Sequence, residues 1–405
     1  MSAMGGETLD TVREPVAGAR GWSGHALVWA ALCALLVLAW QALTVHYNYH
    51  GNWTALFCTG AKLPVPPALA GERIHRFPGS NGWDGQFYHY IAHDPLLRSG
   101  LGSYIEAPRL RYRRILVPAL AFALALGDAA RIDTAYRLVI LAFILLGAWA
   151  LARLAVTYGR HPAWGLAFFL APGAIASIDR LAVDAALAAL ALAFALLVRT
   201  GRDGWPLYAV LVAASLARDT GILLTAAYAL WLLRQRQITR AILFSTASLP
   251  AAAWYAFVIA RTAPYVNDGR MALPFTGVLD RFLHPMTYPF APVVNLVLHS
   301  LDYLAAAGVA LAFLLAWHAA RKSAFNPIGL AVLLFTALGL IIWRPGDWLE
   351  AFDYGRILSP LLVFLALGAL DRPSWTSLAP LAMVLPRFGL QMLSQVFGVL
   401  RGLAG

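Results

Sequence analysis

Residues 81–95 read NGWDGQFYHYIAHDP in a chain otherwise dominated by leucine, alanine and valine. Two kinds of chemistry are available there. Asp84, set between Trp83 and Gly85, can take a proton from a hydroxyl held within hydrogen-bond reach. Equally, an aspartate at that place caps a helix, accepting backbone N–H bonds at the positive end of the dipole. His89 and His93 stand four residues apart, which brings two imidazoles to one helix face, and Asp94 follows them. No HExxH or DxD accompanies the pair. The metal chemistry on offer is a divalent cation at His89 and His93.

The second group of reactive residues is basic. RLRYRR supplies Arg109, Arg111, Arg113 and Arg114 directly before an apolar segment. Guanidinium groups present several fixed donors to phosphate oxygens, so this run either clamps a lipid-linked phosphate or anchors the chain to anionic headgroups. If extended, the run puts Arg109, Arg111 and Arg113 on one side, and not all of them reach one ligand. SLARDTGILL sets Arg218 and Asp219 between two half-length apolar runs, where they either pair and turn the chain or offer Arg218 to a phosphate. APGAIASIDRLAVDAALAAL breaks at Pro172-Gly173 and is expected to resume as a helix after Asp179. Asp184 then lies too deep for a cap and either pairs with Arg180 at i, i+4 or belongs to a site.

These residues need a scaffold, and the composition names its class. The 405-residue chain is 60% hydrophobic and 13% charged, with a mean hydropathy of +0.66. Soluble domains carry about 45–50% apolar and about 25% charged residues. Apolar runs long enough to cross roughly 30 Å of hydrocarbon recur along the chain. The fold class is all-α polytopic, with about 10–12 transmembrane or half-span helices. Residues 1–22 form a polar, disordered cytoplasmic N-terminus, and 23–370 the membrane domain. Residues 46–114 are the first extracytoplasmic loop, and 371–405 a C-terminal helix or tail. The run from Ala26 to Val45 is too long for a signal-peptide core and is a first span. Cys33 and Cys58 are not expected to pair. The net charge of +11 comes largely from arginines in short loops, as membrane topology requires, and nucleic acid is not an expected partner.

Basic loops facing inward (Arg199 with Arg202, Arg234 to Arg240) place Asp84, Asp94, Asp179, Asp184, Asp219, Asp268, Asp347 and Asp353 toward the outer face. Charged groups at membrane depth mark a pathway or a site. Residues 115–127 span about 20 Å as a helix, so they dip in and return or form a half-span packed in protein. Residues 205–233 cross either twice or once. Asp84 to His93 form a short interfacial helix ended by Pro95, whose apolar face of Phe87, Tyr90 and Ile91 anchors it at the membrane boundary.

On these residues the chain resembles the GT-C superfamily of membrane glycosyltransferases, closest to bacterial relatives of the GPI mannosyltransferase and protein O-mannosyltransferase groups. WDGQFYHYIA occupies the place of their first-loop acidic motif, with Asp84 at the catalytic acid. SIDRLAVDAALAAL looks like their later acidic helix start, with Asp184 at the matching acid. LARDTGILL is similar to their basic turn, and FDYGRILSPLL to their late arginine segment, with Arg356 at the matching position. The likeness covers residues 24–370. It lacks a paired-acid motif, which counts against a metal-dependent variant, and a large C-terminal soluble domain, which counts against a polypeptide acceptor.

The resemblance implies an inverting hexosyl or pentosyl transfer from a polyprenyl-phosphate sugar to a lipid- or glycan-linked acceptor, a reaction that needs no cofactor. Asp84 would be the base. Arg109, Arg111, Arg113, Arg114, Arg218 and Arg356 would be candidates to hold the phosphate, with Asp94 and Asp184 as supporting acids. Its implied setting is the inner membrane of a bacterium, among membrane lipids, with the site facing the exterior. The competing reading is a transporter or flippase of an amphipathic or lipid-linked solute, which buried charges and broken helices also suit.

Overall fold

The computed structural model describes residues 24–404 apart from 266–272, 274, 285, 287, 289, 322–324, 342–347, 349 and 373. The expected N-terminal segment 1–22, Asp268 and Asp347 thus lie outside the described residues. Regular structure is almost wholly helical. It begins with α1 (His25–Tyr49), which opens into the first loop. That loop carries a parallel pair of two-residue strands, β1 (Thr59–Gly60) and β2 (Arg76–Phe77), then α2 (Asp84–His93) and α3 (Pro108–Tyr112). After it come α4 (Leu116–Leu124), α5 (Ala129–Thr157), α6 (Pro172–Arg180), α7 (Asp184–Arg199), α8 (Trp205–Ala217) and α9 (Ile222–Arg234). The second half holds α10 (Ile238–Ser245), α11 (Leu249–Arg261), α12 (Thr276–Leu283), α13 (Pro292–Arg321), α14 (Pro327–Ile341), α15 (Ala351–Ile357), α16 (Ser359–Asp371) and α17 (Trp375–Ala404).

Among the described residues, five stretches are long and apolar enough to cross a membrane: α1, α5, α10 with α11, α13 and α17. Counting the bent pairs as single spans, α15 with α16 and the 3-10 helix Pro162–Leu170 with α6, raises this to seven. Only helices satisfy their own backbone in hydrocarbon, and these carry the leucines and valines a lipid face needs. The chain is an all-helical multi-pass membrane protein.

α7 lies at the centre. Every residue from Asp184 to Leu196 is buried, and its alanines let α5, α6, α8 and α16 come close. The break before it comes later than the sequence pattern suggests. α6 begins at Pro172 and runs to Arg180, and Leu181 turns the chain in the left-handed region (φ 44°). Asp184 is accordingly the first residue of α7, not one a turn inside it. The freed backbone is satisfied locally. Tyr136 donates to the Leu181 carbonyl (3.0 Å), and Ser177 Oγ accepts from Ala185 N (2.8 Å). Ser359 Oγ accepts from Gly173 N (3.1 Å), tying the start of α6 to that of α16.

Residues 115–127 form the nine-residue α4, about 14 Å long at 1.5 Å per residue, followed by a turn at Leu126-Gly127 and packed on α5. One face, with Val117, Pro118 and Ala121, is buried, while Leu120 and Leu124 are exposed. α8 and α9 are separate helices. At the turn between them Gly221 presses on the Ala214 backbone with no room for a Cβ, so the chain doubles back there. Residues 371–405 are more than a tail. α17 packs on α1, α13 and α16 and supplies Arg387, whose Nε donates to the fully buried Asp302 (2.8 Å).

Candidate functional site

Asp84 is placed by backbone contacts that the sequence around it makes possible. Trp83 N donates to Cys58 O (3.1 Å). Gln86 closes the turn, accepting from Gly60 N (3.1 Å) and donating to Asn81 O (2.8 Å). Gly85 lies flat on the end of α6, where a Cβ would overlap the Arg180 carbonyl oxygen. The Arg180 guanidinium in turn stacks on the Trp83 ring at 3.5 Å. The WDG order is thus a fit: an aromatic for Arg180, the acid, and a residue without a side chain.

α2 spans the predicted residues, but not in the predicted setting. Gly85 through Ala92 are all buried, so the helix sits inside protein and has no exposed aromatic belt. Asp84 is not the cap either. Trp83 holds that position with no side-chain bond, and the Asp84 carboxylate reaches two arginines instead. Arg111 Nη1 meets Oδ1 at 2.7 Å, and Arg356 Nη1 meets Oδ2 at 2.7 Å. Burial pushes the Asp84 carboxyl up, but Arg111, Arg356 and Arg114 outweigh it and hold it well below the usual carboxylate range.

Around this clasp lies a cavity of about 1020 Å³, with Asp84, Arg111, Arg114, Arg218, Arg356 and Asp353 in its wall. Its aromatic and apolar lining includes Trp83, Phe87, Ile105 and Tyr265. Arg356 Nη2 donates to Asp353 Oδ1 (3.0 Å), and Arg356 Nη1 stands 3.9 Å from Asp184 Oδ2. Arg218 pairs with Asp184, both almost fully buried. Arg114 donates to Tyr88 (3.0 Å) and faces Asp219 at 3.4 Å. Two buried donors in this wall, Nε of Arg218 and Nε of Arg356, have no hydrogen-bond acceptor among the described residues. With Arg111, Arg114, Arg218 and Arg356 all lining the cavity, its wall is suited to an anion with several oxygens.

Several sequence expectations change here. Two pairings open from the sequence do not form: Asp184 takes Arg218 rather than Arg180, and Asp219 takes Arg114 rather than Arg218. Arg180 meets Asp179 instead (2.9 Å). RLRYRR is a helical turn, not an extended run, so it splits. Arg111 and Arg114 line the cavity. Arg109 Nε turns to Thr262 Oγ1 (3.4 Å), and Arg113 lies 5.5 Å over the Tyr255 ring. Asp94 does not line the cavity. Its carboxylate accepts from Arg98 N (2.7 Å) and Ser99 N (2.8 Å), closing the turn after α2.

No protein-family model, no curated protein and no solved structure matches the chain. The chemistry of the cavity must therefore carry the functional reading. Asp353, which the sequence marks only as one of the outward acids, belongs to that cavity. Its position three residues before Arg356 on a helix was the available signal. His89 and His93 do not line the cavity. Both side chains meet Glu72 and Asp133 instead, residues far apart in sequence.

Proposed function

We propose that the chain is a membrane glycosyltransferase of the GT-C kind, moving a sugar from a polyprenyl-phosphate donor to a lipid- or glycan-linked hydroxyl. The observation that carries this reading is Asp84 clasped by Arg111 and Arg356 in the wall of a cavity lined by four arginines. A carboxylate so strongly held is a weak base. A donor phosphate competes for the same guanidinium groups. As Arg111 and Arg356 turn to it, Asp84 loses its counter-charges and its proton affinity rises. The base is thus armed by the donor it serves.

In the transfer, Asp84 takes the acceptor's hydroxyl proton and the acceptor oxygen bonds to the anomeric carbon from the face opposite the phosphate. The bond from that carbon to the phosphate oxygen breaks, and its electron pair leaves with the lipid phosphate. Arg111, Arg114, Arg218 and Arg356 stabilise the charge that develops there. The aromatic and apolar parts of the lining suit a sugar face and a prenyl stem. The site would open to the exterior of a bacterial inner membrane.

The test incubates purified protein with radiolabelled polyprenyl-phosphate mannose, glucose and arabinose plus a membrane glycolipid extract, for wild type and Asp84→Asn. Transfer by wild type should fall about 10²–10⁴-fold in the variant. Donor binding should hold or tighten, because the arginines lose their competing carboxylate. A folded wild type that neither binds nor transfers any donor, while carrying lipid-linked solute across vesicles, would establish the transporter reading.

A further inference from the structure

α2 carries a second cluster, away from the cavity. His89 and His93 project toward Glu72, in the loop before β2, and toward Asp133, at the start of α5. Four ligand atoms, one from each residue, lie within 4.8 Å of one another. His89 Nε2 stands 3.4 Å from Glu72 and 2.7 Å from Asp133, and His93 Nε2 stands 3.4 Å from Glu72 and 3.9 Å from Asp133. Zinc bonds of about 2.0–2.1 Å in a tetrahedron put the ligand atoms roughly 3.3 Å apart. The observed separations bracket that figure.

The four residues approach one another as ion pairs, His89 with Asp133 most closely, but without the alignment of settled hydrogen bonds. Nε2 of both histidines, Glu72 Oε2 and Asp133 Oδ1 are all buried, and none has an aligned hydrogen bond. His89 is completely buried, and its ring is held flat against Phe57 at 4.2 Å between centroids. Four buried atoms with lone pairs therefore converge with no proton shared in good geometry between them. A cation at their centre would satisfy all four at once.

From this geometry we infer that Glu72, His89, His93 and Asp133 form a binding site for one divalent transition-metal ion of the zinc class. Two imidazoles and two carboxylates suit a borderline cation, whereas calcium and magnesium favour sites built of oxygen alone. The ion ties three elements: the first loop through Glu72, α2 through both histidines, and α5 through Asp133. Its role is to position. Along α2 the histidines occupy a different face from Asp84 and Tyr88, and fixing that face sets the rotation with which Asp84 enters the cavity.

The proposal does not depend on the glycosyl-transfer reading, because binding is measured without substrate. The full chain in detergent is stripped with chelator, then titrated with Zn²⁺, Co²⁺, Mg²⁺ and Ca²⁺ by calorimetry, with thermal unfolding followed in parallel. One equivalent of Zn²⁺ should bind, Co²⁺ should give the visible absorption of a four-coordinate ion, and the unfolding temperature should rise. His93→Ala and Glu72→Gln should each weaken Zn²⁺ binding at least tenfold and remove the thermal gain. The Glu72 side chain is partly accessible, so Glu72→Gln should fold even where a histidine variant does not. Failure of wild type to bind Zn²⁺, or equal binding in wild type and both variants, would overturn the site. Preference for Ca²⁺ or Mg²⁺ would overturn the metal class.

Discussion

At the scale of single residues, the protein holds a negative charge by surrounding it. The Asp84 carboxyl stays ionised far below its ordinary range because two guanidinium groups from distant segments each take one oxygen. The contribution of this clasp to stability is present above the ordinary carboxylate range and is lost only as pH falls through the depressed value. Protein kept at pH 5 should therefore retain it. Arg111→Ala removes one cation, so the Asp84 carboxyl rises toward its usual range. The acid limb of the pH–activity profile should then move to higher pH, and donor KM should rise about tenfold or more, since bonds to charged groups contribute about 1.5–3 kcal/mol. Arg113→Ala, whose guanidinium lies over Tyr255, should leave donor KM within about twofold. Steady-state kinetics on both variants across pH checks this pair.

Structural elements add a second layer, for the site sits where helices break. α7 starts at Asp184, α8 ends before Arg218, and these two residues pair in the protein interior at 3% and 2% exposure. A buried pair is costly to break because the surviving charge loses its partner, commonly by about 3–5 kcal/mol. Arg218→Met alone should destabilise on that scale, and Asp184→Leu with Arg218→Met should recover much of the loss. Unfolding of the two single variants and the double variant measures the coupling directly. Additive losses would mean that the two residues act separately. The double variant should still lack activity, because the phosphate wall has lost a donor.

For the whole molecule, the open matter is sidedness. The proposed function needs the first loop outside, and the charge rule for short basic loops then assigns the turn between α9 and α10 to the inside. The two native cysteines, Cys33 and Cys58, are buried, so single cysteines added at exposed sites can be read cleanly. In intact cells a membrane-impermeant maleimide should label Lys62→Cys in the first loop and spare Arg236→Cys until the cells are permeabilised. The reverse pattern would turn the cavity toward the cytoplasm and remove the proposed donor from its reach.

Local pattern was enough to read the helices, because a membrane span must be continuous, apolar and self-bonded. α1, α5, α13 and α17 follow from hydropathy, and α2 follows from its periodicity between Trp83 and Pro95. Asp84 and Asp184 were legible as acids at membrane depth, Arg111, Arg114 and Arg218 as candidates for a phosphate, and Arg356 only through the resemblance; ion pairs join five of them, while Arg114 turns to Asp219 and Tyr88. Partner choice was not legible. Charges adjacent in sequence, such as Arg218 and Asp219, point to different helices, while Asp84 meets an arginine more than 270 positions later. Periodicity gives a residue's face on its own element, but pairing depends on which elements lie against that face. The same reason hid Glu72 and Asp133 from His89 and His93. Only tertiary packing brings a loop, a short helix and a spanning helix to one point.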